Sequence, residues 1–279
     1  MTDPATPLVA RTAAELRTAV AGWRRAGDRI GLVPTMGALH QGHLELAAAL
    51  RKAGAGRVMF SIFVNPAQFG PKEDFSRYPR REAEDLAKLA SIGADLAYLP
   101  TVGEIYPEGF AFSIVPGGSI VADLEAAVRP GHFAGVATVV AKLLIQAAPD
   151  LAAFGEKDFQ QLLLVRRLVR DLDLPCEILP VPTVRDRDGL ALSSRNAYLG
   201  EAQLAVARRL NRIMAEIAAD PSLLAAGPDR LRDAGFDGVD YLVLRDAETL
   251  AEPAPGRPRR LIAAVRLGTT RLLDNLPVP

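Results

Sequence analysis

The chain has 279 residues with 33 Lys plus Arg and 33 Asp plus Glu, so its formal net charge is zero, which argues against a general nucleic-acid or membrane-surface binder. A hydrophobic fraction of 49% can fill the cores of about two domains. The single cysteine, Cys176, excludes an internal disulfide framework and favours the reducing cytoplasm, and we expect neither a signal peptide nor a membrane span.

The first two-thirds of the chain alternates short apolar runs with helical patterns. The apolar runs predict strands at 30–34, 57–64, 95–99, 151–154 and 176–181. Apolar residues spaced three and four apart predict helices at 43–53, 81–92, 135–147 and 158–172. Strand–helix alternation requires right-handed crossovers, so we predict an α/β fold with a doubly wound parallel sheet, a Rossmann-like nucleotide-binding domain over residues 1–182.

The pattern changes after Pro180 and Pro182, which mark a hinge. The remaining elements are a predicted helix at 201–219, a strand at 240–245, a hairpin of 261–266 with 270–273 around Gly268, and a surface loop at 251–258. Residues 183–279 therefore predict a smaller α+β domain.

All three histidines lie in short segments marked by glycine, and two of them share one turn. There an apolar strand leads through a loop with Gly37 into a helix that begins His40-Gln-Gly-His43. Backbone N–H groups at a helix start attract anions, and imidazoles three residues apart point the same way and add donors. We therefore predict a nucleotide triphosphate ligand. The pattern matches neither a Walker loop nor a His-Glu-x-x-His zinc site, and the alternative is a capped helix with a surface histidine.

Amide and imidazole side chains follow two further predicted elements. Asn65 and Gln68 come directly after the buried strand 57–64, at the carboxyl edge of the sheet where such folds bind ligands. Amides there can hold hydroxyls and carboxylates, although Asn65-Pro66 alone is also typical of a simple turn. Arg129-Pro-Gly-His132 leads into the next helix.

Two later segments carry groups suited to a nucleotide. The junction at 155–158, Gly-Glu-Lys-Asp, offers a close-approach glycine, a cation and a carboxylate, with Gln161 one turn further on. The segment 193–195, Ser-Ser-Arg, lies just past the hinge and suits a clamp on a triphosphate. A solvated helix start and a helix cap are the respective alternatives. Cys176 opens a predicted strand and is expected in the core, so catalysis is expected to depend on positioning and charge neutralisation.

These five segments, in this order and spacing, resemble the pantoate–β-alanine ligase (pantothenate synthetase) family of the nucleotidyltransferase superfamily, which is related to class I aminoacyl-tRNA synthetases. The resemblance runs from about Gly31 to Asn275 and includes Asp240-Tyr241 and the segment 268–275. The His-x-Gly-His motif indicates only the superfamily, whereas the other four segments together are far more specific.

The resemblance implies a ligase with two half-reactions. ATP and (R)-pantoate form a pantoyl adenylate and pyrophosphate, and the amine of β-alanine then displaces AMP to give pantothenate. It further implies Mg²⁺, a cytoplasmic homodimer, and no nucleic-acid or membrane partner.

Residue roles also follow from the resemblance alone. It implies that ATP is bound by Met36, His40, His43, Gly155, Lys157, Asp158, Val184, Ser193, Ser194 and Arg195. Within that set it implies a catalytic role for His40, His43, Lys157 and Arg195. Pantoate would be held by Gln68 and Gln161, and the β-alanine side would be lined by Asn65, Tyr78, Arg129 and His132. The second domain, 183–279, would close over the ATP phosphates.

The metal neighbourhood of the family corresponds here to residues 81–88. Asp85 could assist a cation through water, but Lys88 is an unfavourable neighbour. We expect Mg²⁺ to be held mainly by ATP, and its protein ligand stays open.

Two other functions use the same motif. One is an adenylyltransferase that joins AMP to a phosphorylated acceptor. The other is a non-catalytic nucleotide sensor, which has no need for the pair Gln68 and Gln161.

Overall fold

The computed structural model describes residues 6–71 and 73–279. It divides into two compact units: the first consists of the chain up to Pro116, Arg129–Gly155 and Leu164–Val181, and the second of Gly117–Val128, Glu156–Leu163 and Pro182–Pro279. The division differs from the predicted boundary at 182/183 because two short segments of the N-terminal part belong to the second unit. Side chains far apart in the chain bind them there, as Tyr241 and Arg271 bind Glu125 and as Arg260 binds Glu156.

The first unit contains a six-stranded parallel sheet, which confirms the predicted fold class. Its strands are β1 (Leu8–Ala10), β2 (Ile30–Thr35), β3 (Arg57–Ile62), β4 (Leu96–Tyr98), β5 (Leu151–Gly155) and β6 (Glu177–Val181), in the order β1-β4-β3-β2-β5-β6. The chain proceeds one way from β2 to β4 and the other way from β5 to β6. The neighbours β2 and β5 therefore mark the point of reversal, and ligands of such sheets bind at the carboxyl ends of the strands there.

Four of the helices between these strands follow their predicted positions closely. In chain order the helices are α1 (Ala13–Arg25), α2 (Gln41–Lys52), α3 (Glu82–Ser91), α4 (Val102–Ile105), α5 (Glu125–Val128), α6 (His132–Ala147) and α7 (Phe159–Asp171). The four are α2, α3, α6 and α7, whereas the sequence analysis missed β1 and α1, α4 and α5. Helix α6 is buried along almost its whole length because it is apolar on nearly every face. In the part of the chain that the structure describes, no helix combines the length and apolarity needed to span a bilayer.

The second unit is built on an antiparallel sheet of β7 (Gly238–Asp246), β8 (Arg259–Leu267) and β9 (Thr270–Val278). The hairpin predicted around Gly268 is confirmed, and its turn places Gly268 at a φ of +59°. The helix predicted at 201–219 is instead two helices, α8 (Glu201–Ala207) and α9 (Arg209–Ala219), because Arg208 between them adopts a tightened turn with ψ −18°. Helix α10 (Gly227–Asp233) follows, and apolar side chains of α9 and the sheet form the core.

Candidate active site

The loop from β2 to α2 brings His40 and His43 together. Its backbone passes through two successive left-handed residues, Gly37 with φ +84° and Ala38 with φ +49°. A Cβ on Gly37 would lie 3.0 Å from both the Ile62 Cγ2 and Asp85 Oδ2 atoms, so the loop needs glycine there for its packing as well as for its φ.

The hydrogen bonds of this loop determine the tautomer of each neutral imidazole. The backbone N–H of Gly42 donates to His40 Nδ1 at 3.1 Å, and the backbone N–H of His40 donates to His43 Nδ1 at 3.2 Å. Since each Nδ1 accepts a hydrogen bond, the proton of each neutral ring lies on Nε2. The ring centroids are 4.0 Å apart. The loop therefore carries two neighbouring Nε2–H donors, a pair suited to the oxygens of a phosphate.

Asp85 on α3 turns its carboxylate towards the same loop. It is 1% exposed, its Oδ1 accepts from the N–H of Leu39 at 2.7 Å, and its Oδ2 accepts from the N–H of Ala38 at 2.9 Å. Burial raises the pKa of Asp85, and the two backbone hydrogen bonds oppose that rise. Lys88 Nζ donates to Leu39 O at 2.7 Å.

These contacts decide how a metal would fit. Both oxygens of Asp85 are occupied by backbone N–H groups, and a lysine ammonium lies one turn away on the same helix. Among residues 6–71 and 73–279, no group of three or more His, Cys, Asp or Glu side chains is placed to hold a metal ion. The donor set at 81–88 thus does not fit a protein-held Mg²⁺.

The turn after β3 positions Gln68. The side chain of Asn65 is 1% exposed and donates through Nδ2 to Gln68 Oε1 at 3.1 Å and to Gly135 O at 3.2 Å. Its Oδ1 accepts from the N–H of Ala67 at 3.2 Å and from the hydroxyl of Tyr106 at 2.8 Å. Burial raises the pKa of Tyr106 to about 12, so its hydroxyl stays protonated and donates. Asn65 therefore orients the Gln68 amide, and its place beside β-alanine stays a prediction.

Helix α6 packs against this turn without space to spare. A Cβ on Gly135 would overlap the carbonyl group of Ala67 and lie 2.8 Å from Gln68 N. His132 Nδ1 lies 2.9 Å from Gln68 O, and Arg129 Nη1 lies 3.0 Å from His132 Nε2. Because an arginine can only donate, His132 Nε2 accepts and its Nδ1–H donates to the carbonyl oxygen.

Arg129 is fixed by Glu73. Two guanidinium N–H groups bind the two carboxylate oxygens at 2.7 and 2.6 Å. Burial opposes ionisation of Glu73, but the hydrogen bond and the charge of Arg129, together with a backbone hydrogen bond from Gly70, outweigh burial, and the pKa of Glu73 is lowered. The predicted residues Arg129 and His132 thus lie beside the backbone of Gln68, and their contact with a substrate stays a prediction.

Three more predicted residues lie in the first unit. Gln68 Nε2 donates to Met36 Sδ at 3.2 Å, and a thioether sulfur is a weak acceptor. Tyr78 is buried, with its ring 6.0 Å from that of Phe69. Gly155 ends β5 and has a different character from Gly135, because a Cβ there would meet nothing within 4 Å. The described protein atoms therefore do not account for glycine at 155.

In the second unit, Lys157 and Asp158 lie on a 3-10 turn, Glu156–Asp158, with Lys157 Nζ 3.6 Å from Asp158 Oδ1. The buried side chain of Asn275 on β9 donates to the carbonyl oxygens of Glu156 and Lys157, both at 2.9 Å. Arg260 donates to Asn275 Oδ1 at 2.7 Å and to Glu156 Oε2 at 2.8 Å. The turn is thereby attached to the antiparallel sheet.

The segment 183–195 is attached to the same strand. Arg185 binds the carboxylate of Asp274 through two hydrogen bonds of 2.7 Å, and the carbonyl of the preceding residue, Val184, accepts from Leu192 N at 2.9 Å. Ser193 Oγ accepts from the N–H of Arg195 at 3.3 Å and caps a 3-10 turn, Ser194–Tyr198. The segment thus contains a cap, as its alternative interpretation expected, but Ser193 caps this short turn rather than the helix at 201.

Gln161 is half-buried near the start of α7, and the neighbouring Gln160 is buried. Gln160 Nε2 donates to the carbonyl oxygens of Ile120 and Asp123 at 2.6 and 3.1 Å, and its Oε1 accepts from the N–H of Glu125 at 3.0 Å. Gln160 therefore binds the segment 117–128 within the second unit.

Sequence reasoning missed the residues that support the site: Glu73, Tyr106, Gly135, Gln160, Arg260 and the anchoring roles of Asp85 and Asn275. For Asp85 the sequence does contain a signal: a carboxylate on the apolar face of a predicted helix, three residues before Lys88, indicates a buried anchoring role. No local sequence signal marks Tyr106 or Arg260, because their partners are 41 and 104 residues away in the chain. Cys176 is buried as expected, and burial raises its pKa to about 12, so it is not a thiolate nucleophile.

Comparisons with known proteins give a consistent result. A family model described as Pantoate-beta-alanine ligase matches residues 8–277. A pantothenate synthetase of Mesorhizobium japonicum is 54% identical over 283 residues, covering 98% of this chain and 98% of that protein. The crystal structure of a pantothenate synthetase from Thermus thermophilus has a TM-score of 0.89 and 46% identity, covering 98% of this chain and 100% of that one. A pantoate-beta-alanine ligase from Francisella tularensis, complexed with beta-gamma ATP and beta-alanine, has a TM-score of 0.86 and 34% identity, with 97% of each chain covered.

Proposed function

This chain belongs to the pantoate–β-alanine ligase family, and we propose that it joins (R)-pantoate to β-alanine with ATP as co-substrate. In the first step a carboxylate oxygen of pantoate bonds to the α-phosphorus of ATP, and the bond to pyrophosphate breaks. In the second step the amine of β-alanine bonds to the acyl carbon, the bond from that carbon to the AMP oxygen breaks, and the nitrogen loses a proton. Pantothenate and AMP are the products.

The observation that carries this proposal is the pair of Nε2–H donors on His40 and His43. Negative charge increases on the α-phosphate oxygens as the fifth oxygen approaches phosphorus. Donors that are already oriented need no reorganisation at that moment, which is how fixed dipoles lower such barriers. The backbone bonds to both Nδ1 atoms supply that orientation.

Pantoate binding is assigned to Gln68 and Gln161. The Oε1 atom of Gln68 accepts from Asn65, which fixes the amide so that its Nε2 faces Met36. Because sulfur is a weak acceptor, this N–H can donate to a pantoate oxygen instead of to Met36 at little cost in free energy. The role of Gln161 rests on the family resemblance, as do the places of Asn65, Tyr78, Arg129 and His132 on the β-alanine side.

The remaining ATP contacts are assigned to Met36, Gly155, Lys157, Asp158, Val184, Ser193, Ser194 and Arg195. The open space beside Gly155 supports a nucleotide there, since a Cβ at this position would meet no described protein atom within 4 Å. Lys157 and Arg195 supply positive charge to the phosphates. Mg²⁺ enters this proposal as a counterion of ATP. The protein stabilises the phosphate charge through hydrogen bonds from His40 and His43 and through the positive charge of Lys157 and Arg195.

The family resemblance also supports a cytoplasmic homodimer in which residues 183–279 close over the phosphates. Sedimentation velocity at micromolar concentration measures the oligomeric state, and a single monomeric species would contradict the dimer.

The test of the proposed function is pyrophosphate release. We expect release that requires both ATP and pantoate and that does not require β-alanine for the first turnover. Release without pantoate would reject the ligase. Formation of a dinucleotide-type product from a phosphorylated acceptor would indicate the adenylyltransferase, and tight ATP binding with no turnover would indicate the sensor.

A further inference from the structure

We propose that Asp85 and Lys88 of α3 are positioning residues that hold the loop before α2 so that His40 and His43 present their Nε2–H donors. This inference rests on the proposed function for its catalytic consequence, while the contacts themselves belong to the protein alone. Neither side chain would touch the substrates.

The conformation of the loop depends on the buried Asp85 carboxylate. Gly37 and Ala38 both have positive φ, so the backbone turns sharply just before the N–H groups of Ala38 and Leu39. These two N–H groups bind the two oxygens of the Asp85 carboxylate at 2.9 and 2.7 Å. A side chain of the protein thus satisfies both donors of this turn.

Peptide planarity extends this constraint along the chain. The N–H of Ala38 lies in the peptide plane 37–38, and the N–H of Leu39 lies in the plane 38–39. The carbonyl of Leu39 and the N–H of His40 share the plane 39–40. Lys88 donates to that carbonyl at 2.7 Å. Asp85 and Lys88 therefore hold three consecutive peptide planes from one turn of α3.

The peptide plane 39–40 also reaches the imidazole of His43. The N–H at the other end of the plane 39–40 is the one that donates to His43 Nδ1 at 3.2 Å. Rotation of this plane would remove that donor, and His43 would lose the bond that keeps its proton on Nε2. By holding this single rigid peptide, the ammonium of Lys88 thus helps to fix the tautomer of His43.

The first experiment measures the contacts without any ligand. Hydrogen exchange of the peptide covering Ala38 and Leu39 is followed in nucleotide-free, metal-free protein for the wild type, Asp85→Asn and Lys88→Met. Glu84→Gln is the matched control, because Glu84 lies beside Asp85 on the same helix but has a 57% exposed side chain. We expect exchange at these two amides to rise about tenfold or more in Asp85→Asn, whose amide offers only one acceptor oxygen, and to stay at the wild-type rate in the control. Unchanged exchange in Asp85→Asn would overturn the proposal even if the protein proves not to be a ligase.

The second experiment tests whether Asp85 acts through the histidine. We expect Asp85→Asn to lower the first-turnover rate of pyrophosphate release by about 100-fold, as displaced catalytic groups commonly do, with the KM for pantoate near that of the wild type. In a His43→Ala background the same substitution should lower the rate by clearly less than in the wild type, because the part of its effect that passes through His43 is already lost. Full additivity of the two losses would contradict a positioning role.

A metal role for Asp85 predicts a different result. Asp85→Asn would then raise the Mg²⁺ concentration needed for half-maximal rate, whereas a positioning role leaves that concentration unchanged. Lys88→Met gives an independent arm if Asp85→Asn fails to fold: it should speed exchange around Leu39 and lower the rate of pyrophosphate release without moving the Mg²⁺ requirement. A shifted Mg²⁺ requirement in either variant would overturn the inference.

Discussion

At the scale of single residues, the site depends on which nitrogen of each imidazole faces the backbone. His40 and His43 use Nδ1 as an acceptor for a main-chain N–H, so one nitrogen of each neutral ring has a structural task and the other carries the N–H donor. The two tasks can be separated by substitution, because an asparagine oxygen can replace Nδ1 and a glutamine nitrogen can replace Nε2.

His43→Ala is expected to slow adenylate formation by about 10²–10³-fold, the usual loss when one charge-stabilising donor is removed. His43→Gln should recover part of this loss, and His43→Asn should stay near the alanine variant because it restores only the acceptor. Rapid-quench measurement of the first turnover decides between them. Wild-type turnover in His43→Ala would refute the role of His43.

Glu73 gives a prediction for pH. Arg129 lowers the pKa of Glu73 below its ordinary value of 4.5, so the stabilisation from this pair is fully present above that pH in the folded protein. It is lost as the pH falls through the lower pKa of the folded state. The difference in free energy of unfolding between wild type and Glu73→Gln should therefore be largest near neutral pH and vanish at strongly acid pH. Denaturant titrations over that range measure it, and a difference independent of pH would contradict the account.

At the scale of elements, Gln68 owes its position to the packing of α6 on the turn Pro66–Gln68. Glycine is required at 135 because a larger residue would meet the turn, and it is not required by packing at 155. Glycine at 135 is thus required by the packing of the protein, whereas glycine at 155 is assigned to ATP by the proposed function alone.

Gly135→Ala and Gly155→Ala form a matched pair. We expect the first to reduce the free energy of unfolding by about 2 kcal/mol or more, since overpacking a close contact is destabilising. The second should leave stability unchanged and raise the KM for ATP by about tenfold, because overpacking would then occur against the nucleotide. Thermal unfolding and steady-state kinetics separate the two. Destabilisation by Gly155→Ala with an unchanged KM would contradict the assignment of ATP to that space.

Asn275 of strand β9 supports the turn on which Lys157 lies. Asn275→Ala leaves two carbonyl oxygens without their donor, which costs about 1–3 kcal/mol for a buried group, and Asn275→Asp places a carboxylate against the same oxygens. We expect the aspartate variant to lose more stability than alanine, and both to raise the KM for ATP. Equal KM values in wild type and both variants would show that this attachment has no bearing on ATP binding.

At the scale of the whole molecule, the sequence predicted the parallel sheet and the hairpin because apolar runs and turn residues are local signals. Gly37, His40 and Gln68 could be placed at strand ends for the same reason. The grouping of 117–128 with the second unit could not be predicted, since Glu125 meets Tyr241 and Arg271, 116 and 146 residues away. The roles of single side chains are hard to predict for the same reason. Asn65 is recognisable as an amide at a strand end, but two of its hydrogen bonds are made with Tyr106 and Gly135, far along the chain.

The central claim is that this chain activates pantoate as its adenylate. Pantoate labelled with ¹⁸O in both carboxylate oxygens, reacted with ATP and β-alanine, tests it directly by mass spectrometry of the products. Attack on the α-phosphorus followed by cleavage at the acyl carbon must leave one ¹⁸O in AMP and one in pantothenate. Unlabelled AMP, or label in inorganic phosphate, would contradict the account.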